Sequence, residues 1–249
     1  MKANNKILLS PEELTRYRRQ IGLPGLGEEG QTKLKKAKVA VAGAGGLGSP
    51  VCFYLAAAGI GTLKIIDEDR VELSNLNRQI LHWTGDLGKS KTESAAAKIQ
   101  AFNPQIRVET ESARITKEKA LTLFQGFDVI VDAVDNLETR YILNKTAIEN
   151  NIPLIHGAVS GMEGRLMTIL PGKTACLGCL YQGVTLNQIP PVIGATAGVI
   201  GSLQATEAIK YITGLGKLMT DELLIYDGLN LRFTTLKITR DPACLHCGQ

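Results

Sequence analysis

From Val39 to Gly61 the chain carries no charged residue, yet this stretch holds six glycines and Pro50. A lone helix of that composition would be broken and poorly packed in lipid, so a membrane span is excluded here. What remains is a buried strand, a tight turn and a buried helix. Val39-Ala40-Val41-Ala42 is an apolar run of the kind buried on both faces of a sheet. Val51 to Ala58 reads as the helix, with Ser49 and Pro50 as its cap and first turn. Composition agrees with a folded domain, since 44% hydrophobic and 21% charged residues are ordinary globular values. Twenty-eight basic against 24 acidic residues leave a net charge of +4, too small an excess to argue for a nucleic-acid or anionic-membrane partner. Met1 to Ser10 is polar and lacks the apolar core of a signal peptide, so a cytoplasmic protein is expected.

Strands and helices alternate through the first half. Ser10-Pro11-Glu12-Glu13 is a capping box with proline at the first helical position, and it opens a helix from Leu14 to Gln20 that carries Arg16, Arg18 and Arg19. Gly22 to Gly30 reads as a connection, and Leu63 to Ile66 as a strand ending at Asp67. Ser90 to Phe102 reads as a helix stopped before Pro104, Arg107 to Glu111 as a strand, Lys117 to Phe124 as a helix, and Asp128 to Val134 as a buried strand. This alternation implies right-handed crossovers and a parallel sheet. The second half changes character. Leu154 to Val159 and Gly164 to Leu170 flank a Ser160-Gly161 turn as an antiparallel pair, Ala197 to Tyr211 is a long helix rich in small residues, and Leu223 to Tyr226 and Arg232 to Ile238 close the sheet. The expected fold is α/β, a Rossmann-like doubly wound sheet with antiparallel additions, in one continuous domain over residues 1–249.

Gly43-Ala44-Gly45-Gly46-Leu47-Gly48 lies between strand and helix, and Asp67 ends the next strand. In that setting Gly43, Gly45, Gly46 and Gly48 let backbone N–H groups approach phosphates, while Asp67 accepts from ribose hydroxyls. An NAD enzyme would use the same parts. Between Asp67 and Lys91, however, come Asp69, Asn75, Asn77, Arg78, Gln79 and Lys89, directly after a strand end where ligands bind in open α/β sheets. A guanidinium and an ammonium there suit a triphosphate, a heavier charge load than the diphosphate of NAD. Any one of these residues alone would also suit a solvated loop. Asp132, Asp135 and Asn136 stand at the end of another buried strand, where carboxylates are placed to hold Mg²⁺ beside phosphates, although Asp135 also suits a helix cap.

Two C-x-x-C knuckles, Cys176/Cys179 and Cys244/Cys247, supply four thiolates, the ligand set of a closed structural zinc site. Redox dithiols are the alternative, but neither knuckle has a thioredoxin-like βαβ context. His246 is read as a bystander within its knuckle. His82 and His156 have no partner identifiable in the sequence and are assigned structural roles, and Gly194, Gly198 and Gly201 are assigned to close helix packing.

Taken together, Arg16 to Ile21, Gly43 to Gly48, Leu73-Ser74-Asn75-Leu76-Asn77-Arg78-Gln79, Asp132 to Asn136, Gly194 to Glu207 and the knuckles resemble the MoeB/ThiF/HesA family, relatives of ubiquitin-activating enzymes. The resemblance implies a homodimer that uses Mg-ATP to adenylate the C-terminal glycine of a small ubiquitin-like sulfur carrier ending in Gly-Gly, for molybdopterin, thiamine or related sulfur transfer. It implies that Gly46, Asp67, Arg78, Lys91 and Asp135 occupy nucleotide and catalytic positions, and that Arg19 is the arginine lent to the partner subunit's phosphates. Some relatives pass the activated carrier to their own cysteine, yet no cysteine lies between Tyr181 and Ala243, a span that includes Asn187 to Pro191. Cys52 sits in an apolar helix where a thiol is inert. A separate sulfur donor, a sulfurtransferase or cysteine desulfurase, is therefore expected, the more so as nothing after Gln249 accommodates one. The competing readings are an NAD-dependent oxidoreductase with structural zinc and a zinc-stabilised binding module without catalysis.

Overall fold

The computed structural model describes residues 8–181 and 190–248, so residues 1–7 of the polar N-terminal stretch and 187–189 of the Asn187 to Pro191 segment lie outside the described residues. The chain opens with α1 (Pro11–Arg16), α2 (Arg18–Ile21) and α3 (Gly27–Lys36), followed by β1 (Lys38–Ala42), α4 (Gly48–Ala58) and β2 (Thr62–Ile66). After two single-turn 3₁₀ segments, Leu73–Asn75 and Thr84–Asp86, come α5 (Lys91–Phe102), β3 (Arg107–Glu111), α6 (Lys117–Phe124) and β4 (Val129–Asp132). The remainder is α7 (Leu137–Asn150), β5 (Leu154–Ser160), β6 (Glu163–Ile169), α8 (Leu177–Leu180), α9 (Gly194–Thr213), β7 (Glu222–Asp227) and β8 (Arg232–Lys237).

The strands form one sheet in the order β3-β2-β1-β4-β5-β6-β7-β8. Pairing is parallel from β3 to β5 and antiparallel from β5 to β8. Lys38 faces Thr62 on one side of β1, and Val39 faces Val129 on the other, so the strand order reverses at β1. That switch point opens a crevice beyond the carboxyl ends of β1 and β4. The alternating pleat of β1 sends Val39 and Val41 into a core with α3, α4, α5 and α9, and Ala40 and Ala42 into a second core with α6, α7 and the knuckles.

Three local features differ from the sequence reading. The first helix breaks at Tyr17, which is buried and accepts from the Asn103 amide at 2.9 Å, although the capping box forms as expected with Glu13 N–H on Ser10 Oγ at 3.1 Å. The Gly22 to Gly30 connection already contains the first turn of α3, whose Glu28 and Glu29 lead and whose Lys33, Lys35 and Lys36 trail, the arrangement a helix dipole favours. Ser49 does not cap α4: Leu47 takes that place, and the buried Ser49 hydroxyl donates back to the Gly45 carbonyl at 2.7 Å.

Candidate functional site

A cavity of about 690 Å³ fills the crevice at the switch point. Its floor is the turn between β1 and α4. Gly43 has φ +99°, and a Cβ there would meet the Ala133 carbonyl oxygen at 2.6 Å, so only glycine closes the turn against the end of β4. Gly43, Gly45 and Gly46 line the cavity. Gly48 does not. A side chain at Gly48 would overlap the Gly43 carbonyl, so this glycine lets α4 start against the turn instead of touching a ligand.

Asp67 braces the turn, since its Oδ2 accepts from Ala44 N–H at 2.7 Å and its Oδ1 from Asp69 N–H at 2.9 Å. Lys91, buried at the first position of α5, lies 2.8 Å from Asp69 and 4.0 Å from Asp67, and all three line the cavity. Arg78 and Gln79 line it with Asn77, set close beside Gly46 and Gly45. The Gln79 Oε1 is buried without a hydrogen-bond partner among the described residues, an unspent acceptor at the cavity wall. Arg78 reaches back to the Ser74 carbonyl at 2.9 Å, and its loop is wedged by α9: a Cβ on Gly194 would meet the Asn77 carbonyl at 2.6 Å. Asn75 is buried, accepts from Glu72 N–H at 3.1 Å and stays out of the cavity; its polarity shapes the turn that carries Arg78. Lys89 likewise faces away, 3.3 Å from Asp86.

Asp135 and Asn136 line the third side, both exposed. Asn136, not Asp135, caps α7 by accepting from Thr139 N–H at 2.9 Å, which leaves Asp135 free to face the cavity. Asp132 is a correction to the pairing of carboxylates. It is fully buried and accepts from His156 Nδ1–H at 2.6 Å, with the Arg140 guanidinium 3.6 Å away. Tyr181 donates to His156 Nε2 at 3.0 Å. Burial pushes the His156 ring below the ordinary imidazole range against the pull of Asp132. Arg140 grips the Val134 carbonyl at 2.7 Å and the Gly157 carbonyl at 3.1 Å, fixing the strand end that presents Asp135. His82 also has partners, Ser94 and Ala44. Both histidines thus have buried partners that the sequence alone does not reveal. Of the three glycines in α9, Gly194 and Gly201 pack closely, but nothing stands within 4 Å of a Cβ on Gly198.

Glu68, Arg114, Thr139 and Arg140 also line the cavity and were not foreseen. Arg114 lies 3.9 Å from both Glu68 and Glu138 across the mouth. None belongs to a motif, and only the neighbourhood of Asp135, four residues before Thr139, could have drawn attention to part of the set. Arg19 is exposed on α2 and outside this cavity.

Against α7 and outside the cavity, the sulfurs of Cys176, Cys179, Cys244 and Cys247 all lie within 4.8 Å of one another. The Cys176–Cys244 and Cys179–Cys247 separations are 3.8 and 3.6 Å. Zinc–sulfur bonds of ~2.3 Å give a tetrahedron with edges of ~3.8 Å, so the four thiols fit that ion. No disulfide joins them. His246 stacks on Tyr141 with ring centroids 5.2 Å apart and is not among the grouped ligands. No helix among the described residues is long and apolar enough to cross a membrane.

A family model described as the ThiF family matches residues 17–246. The chain belongs to the ThiF family. Among curated relatives of this ThiF-family chain, a sulfur carrier protein adenylyltransferase of Thermus thermophilus is 43% identical over 95% of the chain and 92% of the relative. A probable adenylyltransferase/sulfurtransferase MoeZ of Mycobacterium tuberculosis is 40% identical over 94% of the chain but 62% of its own length. The crystal structure of E. coli MccB with ATP superposes with a TM-score of 0.83 at 27% identity, covering 94% of this chain and 75% of that one. These relatives give the oxidoreductase alternative no support.

Proposed function

We propose that the chain binds Mg-ATP in the crevice and transfers AMP to the C-terminal glycine carboxylate of a small ubiquitin-like sulfur carrier ending in Gly-Gly. One observation carries the reading: a single cavity gathers the glycine turn, Arg78, Lys91 and Asp135, in a chain that spans 92% of an adenylyltransferase for such carriers. The nucleophile needs no base, because a terminal carboxylate with a pKa of ~3.5 is ionised at neutral pH. A carboxylate oxygen attacks the α-phosphorus, the bond to the bridging oxygen breaks, and pyrophosphate leaves with the electron pair. The work left to the protein is to align two anions and neutralise developing charge. Arg78 and Lys91 supply the cations, Asp67 and Asp69 hold Lys91 and the ribose side, and Gln79 offers its open acceptor. Asp135, with Asn136 beside it, is the residue that would hold Mg²⁺, which shields the phosphates when bound. Among the described residues no nucleophile–base pair lines the cavity, which suits this chemistry.

The position of Arg19, exposed and outside its own chain's cavity, supports a homodimer in which it completes the partner's site. The four cysteines hold zinc as a fastener with no open coordination position. Residues 1–249 act as one adenylation unit in the cytoplasm, and the acyl adenylate passes to a separate sulfurtransferase or cysteine desulfurase. ATP–pyrophosphate exchange that depends on a Gly-Gly-ending carrier, with the carrier gaining AMP less water by mass spectrometry, tests the proposal. Exchange that ignores the carrier, or none at all, rejects it.

A further inference from the structure

Behind the glycine turn runs a buried chain of hydrogen bonds that adenylation chemistry leaves unassigned. His82 is buried, with Nε2 2.9 Å from the Ala44 carbonyl oxygen and Nδ1 2.9 Å from Ser94 Oγ. Lys98, also buried, sits one turn beyond Ser94 on α5. Its ammonium donates to the Asp86 carboxylate, to the Ser94 carbonyl at 3.2 Å and to Ser94 Oγ at 2.9 Å, and stands 4.8 Å from the Trp83 ring centroid.

The two ends fix the direction of every bond. An ammonium only donates, and its three protons are matched by these three acceptors. Ser94 Oγ therefore accepts from Lys98 and gives its own proton to His82 Nδ1. A peptide carbonyl only accepts, so the ring proton of His82 sits on Nε2. Burial holds the ring below the ordinary imidazole range, outweighing the Ala44 carbonyl, and the Lys91 and Lys98 charges push the same way while Asp67 opposes them.

The consequence falls on the next residue. In a trans peptide the C=O of one residue and the N–H of the next point in opposite directions. Drawing the Ala44 carbonyl into the core toward His82 turns the Gly45 N–H outward, and Gly45 lines the cavity. The preceding peptide is held separately by Asp67. Among the described residues, no acceptor is bonded to the Gly45 N–H.

We propose that His82, locked as its Nε2–H tautomer by Ser94 and Lys98, is a positioning residue that aims the Gly45 amide at the nucleotide phosphates. This rests on the ATP reading above. The chain has three histidines, so ¹⁵N NMR resolves their ring nitrogens readily. Wild-type protein at neutral pH should show His82 protonated on Nε2 alone. Calorimetric ATP binding should weaken by about tenfold or more in His82→Phe, the scale of one lost hydrogen bond to a charged group, with near-ultraviolet circular dichroism unchanged. Ser94→Ala should release the tautomer and weaken ATP binding less. Should His82→Phe not fold, Ser94→Ala carries both readouts. Protonation on Nδ1 or on both nitrogens, or wild-type ATP affinity in the folded variants, overturns the assignment. A correctly protonated wild-type His82 in a protein with no ATP affinity instead refutes the adenylation reading, and with it the phosphate role of the Gly45 amide.

Discussion

Removing zinc from the four-cysteine cluster should lower stability by an amount that the topology sets. The paired ligands, Cys176 with Cys244 and Cys179 with Cys247, are each 68 residues apart in sequence. A cross-link closing a loop of that length removes ~4 kcal/mol of chain entropy from the unfolded state on the usual loop model. In a protein of this size each kcal/mol moves the melting temperature by about 2–4 °C, so the metal-free protein should melt ~10 °C lower. The loss should be centred on the second core, where Leu177 N–H donates to Asn144 Oδ1 at 3.0 Å and His246 stacks on Tyr141. ATP binding should survive at temperatures below the new transition, because no knuckle residue lines the cavity. Scanning calorimetry before and after chelation, with zinc content measured in both samples, makes the comparison. An unchanged melting temperature after complete metal loss would refute the fastener argument. So would X-ray absorption showing fewer than four sulfur ligands or a bound exchangeable water.

Asp135→Ala should abolish Mg²⁺-dependent pyrophosphate exchange without altering the circular dichroism spectrum, and Arg78→Ala should cost at least ~2 kcal/mol of transition-state stabilisation, read as a fall in kcat/KM. Cys52 is fully buried, and burial, aided by the Asp67 charge, pushes its thiol up to about 12. It should resist alkylation in the native protein, and a thiol-sensitive covalent enzyme–carrier adduct that persists in Cys52→Ala would place the nucleophile among the four clustered cysteines. Burial alone would raise the carboxyl pKa of Asp86, yet Lys98, the Trp83 amide and Lys89 together hold it well below the carboxylate range. Its contribution is therefore present above the unfolded value near ~4 and is lost as pH falls through the folded value. Asp86→Asn should destabilise the protein at pH 7 and flatten its loss of stability toward pH 3, measured by urea denaturation; an unchanged acid profile would contradict this.

The parts most legible in the sequence were those where one local rule suffices. The uncharged run into Gly43 announced β1 and its turn, and C-x-x-C spacing announced the cysteine cluster. α7 received no boundaries because its buried side carries Arg140, Asn144 and Thr146 beside Ile142, Leu143 and Ala147, so no apolar stripe marks it. The glycine turn and the polar segment after β2 point Gly48 and Asn75 at the ligand, but each is consumed in shaping the backbone that others need. Asp132 and Asp135 look equivalent three residues apart, but Asp132 is the last residue of β4 and buried, whereas Asp135 lies past the strand end and is exposed. Arg114 is beyond any motif, because the end of β3 meets the cavity only through the strand order.

The wedge of Gly194 behind Asn77 and Arg78 has a consequence for a chain emerging from the ribosome. The strands and turn that mark a nucleotide site are all synthesised before residue 140, but the buttress that sets the Arg78 loop arrives with α9. A nascent chain arrested before Gly194 would carry the glycine turn and the Arg78 loop without the buttress behind that loop. The Arg78 loop is thus set only once α9 has been made, after β6 and ahead of β7 and β8.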